Sequence, residues 1–168
     1  MHIAVVAKIV GVLLMLFSML ANLPSILVSF IYGDGEASSF LTSLMITFGV
    51  GFALWIFTWR SKEEMRTRDG FLVVTLFWTV LSTFGALPFL FSTNIPLSVT
   101  DAVFESFSGL TTTGATVITG LDFLPKSILF YRQQLQWLGG MGIVALAVAV
   151  LPMLGIGGMQ LYRAESPG

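Results

Sequence analysis

The chain has 168 residues, of which 55% are hydrophobic and 10% charged, with a mean hydropathy of +0.90, which is the composition of a membrane protein rather than of a soluble domain of that length. A net charge of −1 offers no basic face for tracking phosphates and argues against nucleic-acid binding. Cysteine is absent, which removes disulfides, thiolate metal sites and cysteine nucleophiles together, and the one histidine is His2.

A hydrocarbon core about 30 Å thick takes roughly 20 apolar residues at ~1.5 Å rise each. Four uncharged runs are long enough: 9–33 after Lys8, 37–59 between Glu36 and Arg60, 70–100 between Asp69 and Asp101, and 133–162 between Arg132 and Arg163. The last two exceed a single span, and their helical parts are predicted over 71–91, ending near Ser92, and 130–151, ending near Pro152. The first run reads as a span rather than a secretory signal. It is about twice the length of a signal core and has no small-x-small cleavage site, and it contains Asn22 and Pro24.

Basic residues near span ends favour the cytoplasmic side. The connection "RSKEEMRTRDG" holds Arg60, Lys62, Arg66 and Arg68, so it is predicted to be cytoplasmic, as is the N-terminus with Lys8. The loop "GDGEASS", with Asp34 and Glu36, then faces outward, and the third span emerges outside near Asn94. If 101–124 crosses the membrane, Arg163 lies outside; if it dips in and returns, Arg163 lies inside, with six of the eight cations inside and Lys126 and Arg132 outside. Charge therefore favours a re-entrant segment. Trp55, Trp59 and Trp137 are candidates for interfacial anchors.

That segment has its own chemistry. "SVTDAVFESFSGL" reads as a short helix, capped by Ser98 or Thr100, with Asp101 in the first turn and Gly109 closing it. Such a helix reaches about halfway through a bilayer, where backbone leaving it must be buried in protein or line a watery cavity. The following "TTTGAT" carries no charge. Thr111, Thr112 and Thr113 offer carbonyl and hydroxyl oxygens, and Gly114 permits the backbone to turn successive carbonyls one way. An ion-coordinating loop and a threonine-rich outer loop both fit the hexapeptide; the flanking helix, short helix, loop, helix order favours the first.

"FESFSGLTTTGAT" followed by "ILFYRQQLQWLGGMGIVALAVAVLPMLGIGGMQLYRAESPG" closely resembles the N-terminal part of the TrkH family, membrane subunits of bacterial Trk potassium uptake systems within the Trk/Ktr/HKT superfamily. The likeness runs over essentially the whole chain. It implies an all-α integral membrane protein of the bacterial plasma (inner) membrane, with an N-terminal helix pair and cytoplasmic loop in residues 1–69 and a first pore repeat in 70–168. It also implies a dimer and a cytoplasmic nucleotide-binding ring protein as partners, with potassium as the transported ion and no further cofactor. Four repeats surround the pore in that family and this chain has one, so it is expected either to be part of a longer protein or to act as an accessory without transport of its own. Gly114 matches the filter glycine, with Thr112 and Thr113 before it as carbonyl donors and Thr111 and Ala115 at the margins. Sodium-favouring members often have serine at this position, so the glycine implies potassium. The gating loop of the third repeat and the arginine of the last have no counterpart in the chain.

Gln133, Gln134 and Gln136 can line a vestibule or satisfy loop backbone; Gly139, Gly140 and Gly142 can form a hinge or permit close packing. Glu105 can attract cations or hydrogen-bond to neighbours of the short helix. An intramembrane hydrolase would need a nucleophile with a base, or paired carboxylates, on the spans. The first, second and fourth spans hold no acid, and the chain reads as a non-enzyme.

Overall fold

The computed structural model describes residues 2–61 and 67–153, with the side chains of the last helix placed as far as Val144. Lys62, Arg66 and Arg163, and the side chain of Arg68, lie outside the described residues. The chain is helical: α1 Ile3–Tyr32, α2 Ala37–Thr58, α3 Thr67–Gly85, α4 Leu87–Phe91, α5 Val99–Leu110 and α6 Lys126–Met153, with one 3-10 turn at Leu121–Phe123 before α6. Among the described residues, α1, α2 and the stretch Asp69–Phe91 are long and apolar enough to cross a membrane. The chain is therefore a multi-pass membrane protein.

In lipid the usual polarity of a helix is relaxed, and small residues decide how closely backbones approach. Helices α1 and α2 cross at Gly11 and Gly51, where a methyl group on either would sit 2.7 Å from the other's carbonyl oxygen. The buried face of α2 repeats every fourth residue as Ser39, Ser43, Thr47 and Gly51, while Leu16, Leu20, Leu23 and Leu27 of α1 stay exposed. Many hydroxyls are tolerated because they bond back to a carbonyl one turn earlier, as Ser25 does to Ala21, Ser43 to Ser39 and Thr79 to Thr75.

Two proline positions shape the bundle. The predicted third span is not continuous: it breaks after Gly85, and α4 begins at Leu87 with Pro88 in its first turn. Pro88 has no N–H to offer the preceding turn and its ring crowds it. At the break, the carbonyl of Gly85, last residue of α3, accepts the hydroxyl of Tyr131 at 2.8 Å. Tyr131 is fully buried between Phe40 and Phe89, at ring centroid distances of 5.4 and 5.3 Å. In α1, Pro24 cannot donate to the carbonyl of Leu20, and the Gln134 side-chain amide of α6 donates to it instead. One buried apolar core runs from Val6 and Leu14 of α1 through Phe40, Phe89 and Ala102 to Leu135 of α6.

Hydrogen bonds identify the two ends of the bundle. At one, Asp34 accepts the Ser127 amide at 2.9 Å and the Ser29 hydroxyl at 2.5 Å, and Asn94 donates to the Asp34 carbonyl at 3.4 Å. Partial burial pushes the Asp34 carboxyl up, but the bonds from Ser29, Ser127 and Glu36 outweigh it and hold the group below its ordinary value. Glu36, fully buried, accepts Ser92 and Asn94 at 2.6 and 2.7 Å. At the other end, Lys8 reaches the Trp59 carbonyl at 3.4 Å and the His2 amide reaches Asp69 at 3.3 Å. The end of α4 and the start of α6 thus lie at the same end, so 95–125 departs from that end and comes back to it.

Candidate ion-coordinating loop

The segment begins with a side-chain cap. The Ser98 hydroxyl oxygen accepts the Asp101 amide at 3.1 Å and donates to the Asp101 carboxylate at 2.7 Å, closing the first turn of α5. The helix does not stop at Gly109 as expected but at Leu110. Gly109 serves a contact instead: a methyl group there would sit 3.0 Å from Cβ of Leu135. Gly139 is tighter still, since any side chain on it would overlap the Leu110 carbonyl. Gly139 is 13 residues into α6, so the end of α5 lies about 20 Å along that helix at ~1.5 Å per residue. The glycines at 109 and 139 therefore serve close packing.

Beyond Leu110 the backbone turns sharply. The Thr111 amide donates to Phe107 and the Thr112 amide to Gly109, while the Thr113 and Gly114 amides both reach the Ser108 carbonyl at 2.9 and 3.3 Å. Thr112 has φ 58° and Gly114 φ 74°, and Thr112 is the one non-glycine among the described residues with positive φ. The Ser108 hydroxyl donates to the Ala115 carbonyl at 2.6 Å. The Thr111 hydroxyl donates to Phe107 at 2.7 Å and lies 2.8 Å from that of Thr113, so Thr113 donates to Thr111. Among the described residues the Thr112 hydroxyl has no such partner. Residues 111–117 are all exposed, beside a groove of about 560 Å³ lined by Gln136, Trp137, Gly140, Met141 and Val144.

Glu105 does not face the opening. Its Oε1 accepts the Thr116 hydroxyl at 2.5 Å and the amides of Val117 and Ile118 at 2.7 and 3.3 Å, and its Oε2 accepts Arg132 Nε at 3.0 Å. Its partners lie on the return limb of the loop and on α6, not among its neighbours on the short helix. Of the glutamines, Gln134 turns to α1, where Ser25 also donates to it at 3.4 Å; Gln136 comes near the loop, its Nε2 4.0 Å from where a Gly114 methyl would stand. Trp137 is level with the loop, two residues before Gly139, rather than at a helix end.

Arg132, Ser108 and Thr116 were not singled out from sequence. An arginine within a membrane helix needs an acid partner, and Glu105 is the acid of the re-entrant stretch that lies beyond the first turn of its short helix. Glu105 and Ser108, three apart, share a helix face. Those two rules together give the arrangement.

A multi-pass helical membrane protein with a short capped helix ending in an uncharged, hydroxyl-rich loop is the class that fold and site define. Residues 36–168 match the TrkH family, described as cation transport proteins, and the chain belongs to that family. It is 58% identical over its full length to the Trk system potassium uptake protein TrkH of Halomonas elongata and 56% to that of Escherichia coli K12, spanning 35% of each. The crystal structure of the potassium transporter TrkH from Vibrio parahaemolyticus matches 94% of the chain at 57% identity with a TM-score of 0.88, the match covering 34% of that transporter. The chain thus spans about a third of the length of its relatives.

Proposed function

We propose that the chain contributes one of four carbonyl-lined segments to a potassium-uptake pore in a bacterial plasma (inner) membrane. Residues 1–69 are then the N-terminal helix pair with its cytoplasmic loop, and 70–168 one unit of helix, re-entrant pore helix, filter loop and helix. Thr112, Thr113 and Gly114 present backbone carbonyls to the ion. Thr111 and Ala115 contribute less, because the Thr111 hydroxyl is committed to Phe107 and Ser108 already occupies a lone pair of the Ala115 carbonyl.

The observation that carries this reading is the alternation of backbone sign, with positive φ at Thr112 and Gly114 and not at Thr113 between them. In extended backbone successive carbonyls point to opposite sides; reversing φ at alternate residues turns them toward one. The negative end of the α5 dipole adds to the field at the loop. The exposure of 111–117 fits a loop completed by further repeats, since one loop cannot enclose an ion. By resemblance, and by the word "system" in its relatives' names, the partners are membrane lipid, a second copy and a cytoplasmic nucleotide-binding regulatory subunit.

The test is Gly114→Ser in the native gene product, with potassium uptake measured against sodium competition and membrane protein quantified in parallel. Space is available at Gly114, so the substitution acts through φ. Loss of discrimination with normal insertion is expected; wild-type selectivity would return 111–116 to an outer loop.

A further inference from the structure

We propose that Glu105 and Arg132 are positioning residues that fix the height of residues 111–115 in the pore, an inference that rests on reading those residues as a filter. Glu105 is 3% exposed and Arg132 8%. Desolvating two charges usually costs about as much as their attraction returns, and apolar side chains of the same volume often serve stability as well. Stability is therefore a poor reason for the pair. What the carboxylate supplies, and no apolar residue can, is a single oxygen that accepts three donors from the return limb: the Thr116 hydroxyl and the amides of Val117 and Ile118. Holding two consecutive amides on one atom fixes the peptide planes that follow the proposed ion ligands.

A second anchor sits one turn along α5. Ser108 accepts the Thr113 and Gly114 amides through its carbonyl and gives its hydroxyl to Ala115. Ser108 holds the apex and Glu105 the return limb. Only Glu105 is itself held by another helix, through Arg132 Nε. The loop is thereby indexed to α6 as well as to α5, through an oxygen at position 105 that only accepts, as the three donors require.

A pair that merely stabilises packing is indifferent to which helix carries which charge; a pair that positions the loop is not, because only a carboxylate on α5 meets the amides. Three proteins separate these cases, all made in the native gene product and assayed for potassium over sodium discrimination at matched membrane levels. Glu105→Arg with Arg132→Glu keeps an ion pair and is expected to lose discrimination several-fold. Glu105→Gln with Arg132→Gln keeps an acceptor for the limb and an amide–amide bond across the helices, and is expected to discriminate nearly as wild type. Thr116→Val removes one contact at an exposed residue and covers the case in which the reversed pair fails to accumulate; a smaller loss in the same direction is expected. Wild-type discrimination in the reversed pair or in Thr116→Val, or a double-glutamine protein as impaired as the reversed one, overturns the proposal. Gly114→Ser assayed alongside keeps the two readings apart: if it loses selectivity while the Glu105 series does not, only the positioning role fails.

Discussion

Thr112 holds a backbone conformation that its own side chain resists. A branched β-carbon at φ 58° crowds the following carbonyl, and glycine would remove that conflict. The expected relief is about 1–2 kcal/mol, offset by roughly 0.5–1 kcal/mol for the freer unfolded chain, so Thr112→Gly should raise stability by up to ~1.5 kcal/mol. It should also lower potassium selectivity, because it deletes the one threonine hydroxyl of the loop not already engaged within it and loosens the turn. Thermal melts of detergent-solubilised protein, read beside uptake, check both halves; a lower melting temperature would mean that the side chain contributes more to packing than its backbone costs. Strain kept at a position where it serves no packing partner is a mark of function. Sequence reading reached the hydroxyls and Gly114 but not this strain, since nothing in "TTTG" says which threonine carries the left-handed turn.

At the scale of elements, the bond between Gln134 and Leu20 joins α6 to α1 at the carbonyl that Pro24 leaves without its helical donor. Removing that donor leaves a polar group unpaired, at a cost of about 1–3 kcal/mol. Restoring an N–H with Pro24→Ala makes the glutamine dispensable. Gln134→Ala should therefore destabilise the wild-type chain clearly and the Pro24→Ala chain much less, with a coupling of roughly 0.5–3 kcal/mol in a double-mutant cycle. Equal costs in the two backgrounds would show that the contact is incidental. This is also where sequence reading was thinnest. Runs without charge located the four long helical stretches, and Ser98 and Asp101 located the start of α5, because apolar length and caps are local signals. The break at Ala86, the true end of α5 and the roles of Gly109 and Gly139 depend on what another helix places against them. Pro88 was passed over in the predicted helix over 71–91, and the Tyr131 hydroxyl that meets the Gly85 carbonyl at the break lies 46 residues on.

For the whole molecule, the bonds among Asp34, Asn94 and Ser127 put both ends of 95–125 at one end of the bundle. Cysteines at exposed Thr93 and Lys126 should accordingly react with an impermeant thiol reagent from the same side, the outside in the proposed orientation, and a cysteine at Arg60 only from the opposite side. Thr93 is preferred to Asn94, whose amide is engaged by Glu36. Labelling of Thr93 and Lys126 from opposite sides would overturn the re-entrant path. The charge count reached this topology with an argument only partly sound. It overlooked that a crossing would carry Lys126 and Arg132 inside, and it treated Arg132 as an external loop cation, whereas Arg132 is buried on α6 against Glu105. The same burial bears on how the chain is made. Arg132, Gln133, Gln134 and Gln136 crowd the early part of α6, and an arginine alone costs about 2.5–3.5 kcal/mol on entering the bilayer centre. Left to itself, that helix partitions poorly into lipid. Its two rescuers, the Glu105 carboxylate and the Leu20 carbonyl, both lie upstream and leave the ribosome first. The order of synthesis thus becomes an order of assembly: α1 and α5, which carry the two partners, leave the ribosome before the helix that needs them.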